Sequence, residues 1–155
     1  MKSFSPVKSQ WVSSLSILFL VSILIGCSTS TISPYSSVAY QQATALKVDS
    51  ITLMNKASTP YSSHLSEISD LQNNLSKAYE YSKGRPSNQI STEQWEILLD
   101  PNRNSLGGFL ELWKVKQTLN QFFIIEAEKL VSKDFDEIIR LESGKKKSDT
   151  LPSTQ

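Results

Sequence analysis

The sequence predicts an all-α domain, a small helical bundle, and three observations carry that expectation. From Val38 onward, apolar and small residues recur at steps of three and four, the period of one helix face. Glycine is scarce, with five in 155 residues. Four helical stretches stand out, with Gly84-Arg85-Pro86, Asp100-Pro101 and Asn120 between them.

The first stretch is Val38 to Lys83. Its stripe is Ala43, Leu46, Ser50, Met54, Ala57, Tyr61, Leu65, Ile68, Leu71, Leu75, Ala78 and Ser82, with charges off the stripe. Thr59-Pro60 can be read as an N-cap followed by a first helical proline, which would make a hairpin of two helices. The stripe keeps its phase across Pro60, however, and a chain that turned back would have no reason to do so. The expectation is therefore one long N-terminal helix, 38–83, kinked near Ala57 to Pro60. Unbroken it would run ~70 Å at about 1.5 Å per residue, leaving a length of face for another copy or another protein.

Gly84-Arg85-Pro86 ends that helix, and a loop follows to Ile90. Ser91-Thr92-Glu93-Gln94 reads as a capping box opening a short helix, Thr92 to Leu99, with Trp95, Leu98 and Leu99 on one side. Asp100 to Asn104 is a turn. Leu106-Gly107-Gly108 leads into a third helix, Phe109 to Thr118, facing inward through Phe109 and Leu112 or Trp113. Asn120 caps the fourth, Gln121 to Ser143, the most apolar of the set and the expected core element; its face runs Phe123, Ile124, Ala127, Leu130, Val131, Phe135, Ile138, Ile139 and Leu141. Gly144 should end it, leaving 144–155, with Lys145-Lys146-Lys147, as a disordered polar tail.

Upstream, Lys2 and Lys8 stand without an acid before an apolar run from Trp11 to Ile25, closed by Gly26. That is the layout of a secretory signal over 1–26, and the run falls below the ~20 residues a spanning helix needs. The chain's one cysteine sits where the signal ends. Leu24-Ile25-Gly26-Cys27 resembles the lipobox of bacterial lipoprotein precursors. The resemblance implies a cleaved signal and a diacylglyceryl thioether on Cys27, which becomes the first residue of the mature chain. It also implies a lipid-anchored place in the cell envelope. With Ser28 rather than Asp after the cysteine, it favours the outer membrane facing the periplasm if the cell has two membranes. The stretches Met54 to His64 and Asp100 to Trp113 also resemble small uncharacterised lipoproteins of proteobacteria, which brings no known activity. Residues 27–37, small, polar and nearly uncharged, read as a flexible tether to a domain over 38–143.

Removing Lys2 and Lys8 leaves 14 of the 16 basic side chains against 15 acidic ones, too even for nucleic-acid binding. No second cysteine exists for a disulfide or a zinc site, and no cofactor or metal is expected. His64, the only histidine, can meet Glu67 one turn on, but no Gly-x-Ser-x-Gly elbow accompanies it and a surface histidine is expected. Glu93, Glu96, Asp100 and Glu111 flank the loop before the fourth helix; a pair on one cleft would suit a cell-wall hydrolase or ligand site, although first-turn and turn-forming roles account for them. Leu106 to Phe109 could present amides to an anion, or simply pack closely. Lys145 to Lys147 could touch anionic headgroups.

No catalytic set results. The expectation is a non-catalytic envelope lipoprotein, held to the bilayer by acylated Cys27 and binding another envelope protein or itself. Trp95, Arg103, Phe109 and Trp113 are the candidate interaction surface, with core tryptophans as the plainer reading. A cell-wall ligand-binding protein or hydrolase using the 93–111 carboxylates, and a structural self-associating lipoprotein, are the alternatives.

Overall fold

The computed structural model describes residues 32–149, with side chains to Lys145. The signal peptide, Cys27 and the tail beyond Asp149 lie outside the described residues. What is described is all-helical, as expected: α1 (Ser37–Met54), α2 (Leu65–Lys83), α3 (Gln89–Leu99), α4 (Leu106–Lys116) and α5 (Gln121–Asp149), with a 3₁₀ turn over Tyr61–His64 before α2. No strand occurs among the described residues. α1 packs on α2 and α5, and α3 packs on α2 and α5. The chain runs up α1, down α2, up through α3 and α4 in succession, and down α5. This is a four-legged bundle whose third leg is broken in two.

The long kinked helix is not formed; 38–83 is a hairpin. Ser36 Oγ lies 2.8 Å from the Tyr81 hydroxyl, so the start of α1 stands beside the end of α2. Thr59 precedes a proline, which disfavours helical backbone there, and Pro60 is extended, with φ −60° and ψ 133°. The stripe keeps phase because the turn faces the same core. Met54 and Ala57 are fully buried. The backbone of the turn is tied down by the α4–α5 connection: Leu119 N donates to Ala57 O at 2.8 Å, and Tyr61 N to Gln117 O at 2.8 Å.

Four boundaries also move. The tether is packed from Ser33 on: its amide donates to Ser87 O at 2.9 Å, its side chain is buried, and Ser36 caps α1 by accepting from Ala39 N at 3.2 Å. α3 begins at Gln89, so Ser91 is a buried residue within the helix and not its cap. Asn88, just before it, spends its amide on α2, donating to Ser82 O and Ser82 Oγ at 2.8 Å each. α4 begins at Leu106, with both glycines in its first turn. A Cβ on Gly107 would sit 2.2 Å from Leu99 O, and one on Gly108 1.9 Å from Arg103 O, so close approach explains them. α5 opens as expected, Asn120 Oδ1 accepting from Phe123 N at 2.8 Å, but runs through Gly144 to Asp149 instead of ending there.

The core is formed by the inward faces of all five helices, with Leu46, Ile68, Leu75, Leu98, Phe135 and Ile138 at its centre. Trp95 meets Phe135 edge-on, their ring centroids 6.0 Å apart.

Candidate functional site

The expected interaction surface is mostly interior. Trp95, Phe109 and Trp113 are buried; of the four residues only Arg103 is exposed, paired with Asp100 at 3.4 Å. Tryptophans at helical spacing on a small domain fill its core, because their area is the largest apolar gain available. Trp113 closes one end of the bundle. Its indole N–H is shared between Thr59 O and Gln117 O at 3.0 Å each, and Tyr61 stands edge-on at 5.4 Å. The surface nearby is a groove of about 420 Å³ between the 101–105 turn, α4 and α5. Phe109, Leu112, Phe123 and Leu130 line it, with Arg103 and Glu126 also on its walls. Beside it, Val115 and Phe122 are 68% and 77% exposed.

His64 does meet Glu67, Nδ1 to Oε1 at 3.0 Å, and its Nε2 lies 2.7 Å from Thr59 Oγ1. Lys56 pairs with the same carboxylate, and those two partners hold Glu67 below the usual carboxylate range. The half-buried ring leans on Trp113, centroids 5.6 Å apart. The arrangement fastens the α1–α2 turn; Thr59 Oγ1 also lies 2.6 Å from Lys56 O, within the same turn.

The four carboxylates do not converge. Glu96 accepts from the Tyr79 hydroxyl at 3.0 Å. Asp100 accepts from Asn102 N at 2.9 Å, a bond that lowers its pKa and stabilises the turn. Glu111 pairs with Lys114 at 3.4 Å, and it alone of the four lines the open cleft of about 540 Å³ beside α2 and α4. The first turn of α4 is not open to an anion either: Gly107 packs on the Leu99 carbonyl, and Ser105 Oγ donates to Asp134.

A polar cluster that the sequence reading missed closes the other end. Glu142 is 1% exposed and is flanked by Arg85 Nη1 at 2.9 Å and Lys145 Nζ at 2.6 Å. Lys145 also donates to Asn88 Oδ1 at 2.5 Å and Ser91 Oγ at 3.0 Å. Arg85 donates to Pro34 O and lies over the Tyr81 ring. Burial pushes the Lys145 amine down, against the pull of Glu142. Lys145 is thus a buried residue of α5 and not part of a solvated tail. A signal existed: from Ile138 the core stripe steps by four to Glu142 and by three to Lys145, so both polar residues fall in phase with it.

Among the described residues, no group of three or more His, Cys, Asp and Glu gathers as a metal cage, and no helix is long and apolar enough to cross a membrane. No protein-family model, curated protein or solved structure matches the chain.

Proposed function

We propose that the chain is a lipid-anchored protein of the cell envelope, acylated at Cys27, whose helical bundle is a non-catalytic interaction module. The apolar groove beside α4 and α5 carries this reading. Leu112 from one helix and Phe123 and Leu130 from the other form two walls at helical spacing, and Arg103 and Glu126 supply opposite charges at its margin. That suits the apolar face of an amphipathic helix from another envelope protein. In a cell with two membranes, Ser28 rather than Asp after the lipidated cysteine favours the outer one, facing the periplasm, as the lipoprotein resemblance implies.

The test is in-cell photo-crosslinking of the native, lipidated protein with the probe at Leu112. One recurrent heterologous partner, lost when Phe123→Asp is introduced, is the expected result. Crosslinks only to the chain itself would replace this reading with structural self-association. A Cys27→Ala protein retained on membranes as before would remove the lipid anchor from the account.

A further inference from the structure

The end of the bundle where the chain enters at Ile32 differs from the groove end in what it is attached to. Ile32 and Ile90 are 52% and 61% exposed and share a shallow slot of about 300 Å³ with Leu141 and Gly144. Tyr81 and Val38 are exposed nearby. Lys83 and Arg140 are exposed cations of the same end, each paired with an acid one turn back, Glu80 at 4.0 Å and Glu137 at 2.5 Å. Beyond the buried Lys145, residues 146 and 147 are also lysines and continue α5.

The chain immediately before α1 is clasped to this end. Ser33 bonds Ser87, Arg85 holds Pro34, and Ser36 meets Tyr81. From Cys27 to Ser33 the backbone can span at most about 20 Å even when fully extended. The groove end lies the length of α1 away, 18 residues or about 27 Å at helical rise. A lipid on Cys27 therefore keeps Ile32 and Ile90 within reach of the headgroups, whatever path the intervening residues take.

We infer that the Ile32/Ile90 end is a second, non-covalent contact with the bilayer surface, so that the bundle stands on the membrane and presents the Leu112–Phe123 groove away from it. Exposed isoleucines and tyrosine among cations are the composition of an interfacial contact. Anionic headgroups strengthen it through the basic side chains. The inference rests on the lipid anchor proposed above.

The test uses the full lipidated protein in vesicles of phosphatidylcholine, with or without phosphatidylglycerol. A photo-crosslinking residue is placed at Ile90, or at Phe122 as the control. The acylated Cys27 peptide is verified by mass, so a missing anchor, which would overturn both readings, is told apart from a missing contact. The expected result is lipid adducts from Ile90 at several times the yield from Phe122, rising further with phosphatidylglycerol. Equal yields at the two positions, or none at Ile90, with Cys27 acylated, would overturn this inference and leave the anchor standing. Ile90→Asp in the same vesicles checks the surface independently. Its Ser33 amide, bonded to Ser87 O, should stay protected from exchange, while protection of Gln89 and its neighbours by the vesicle is lost.

Discussion

The two ends of the bundle solve one problem in opposite ways. Each must hold a chain turn against helices arriving from elsewhere in the sequence. At one end the α1–α2 turn is held by Trp113, an aromatic that fills volume and shares its single N–H between two carbonyls. At the other, the segment before α1 and the α2–α3 loop are held through Glu142, a buried carboxylate between two cations. An apolar closure degrades gradually as volume is lost. An ionic closure fails when one partner goes, because the remaining charges stay buried without compensation. The Glu142 end therefore should be the less tolerant of single changes and the more tolerant of coordinated ones.

The largest loss of stability is expected at Glu142. Glu142→Gln leaves Arg85 and Lys145 facing one another and should cost about 3–5 kcal/mol in urea denaturation. Replacing Arg85, Glu142 and Lys145 together by Met should recover most of that loss, while exchange of the Ser33 amide, bonded to Ser87 O, speeds up because Arg85 no longer holds Pro34. A triple variant as unstable as the single one would show that the charges are not what closes this end.

Titration affects both ends, with smaller effects. Lys145 has its pKa lowered by burial, so above that lowered value the unfolded chain binds more protons than the folded one. Stability should rise with pH from there up to the ordinary lysine value of 10.5, and Lys145→Met should flatten the rise. Glu67, at the other end, has its pKa lowered by Lys56 and His64, so its contribution is present above the ordinary 4.5 and disappears as pH falls through the lowered value. Glu67→Gln should remove that acid-side loss. Melting temperature against pH reads both arms.

The smallest expected effect is at Gln117. It has φ 65°, a region that favours glycine, and is held there because its carbonyl accepts from both Tyr61 N and Trp113 Nε1. Gln117→Gly keeps those backbone bonds and should stabilise the Trp113 end by at most about 1 kcal/mol in the same denaturation.

The helical class and the cap at Asn120 were legible in the sequence because each is a local rule. The break at Pro60 was not, since Met54, Ala57 and Tyr61 keep phase whether the helix continues or the turn itself faces the core. Ser91 matched a capping pattern, yet its hydroxyl is taken by Lys145, which lies 54 residues away. Gly144 has nothing within 4 Å of where a Cβ would sit and passes through α5 as an ordinary helical position; the rule that glycine ends helices had no steric cause there. At the candidate surface, a pattern of aromatics could not say which face they take; the packing put Trp95, Phe109 and Trp113 inside and left the groove beside them.

The clasp at Ser33 also decides where mechanical load enters the domain. A pull on the chain upstream of Ser33 reaches the Ser33–Ser87 and Arg85–Pro34 bonds before it reaches the first turn of α1. Tension is therefore shared with α2 and, through Glu142, with α5, instead of peeling α1 from its end. Three stretches of chain far apart in sequence must slip together before the bundle yields, and the Trp113 end stays outside that line of strain.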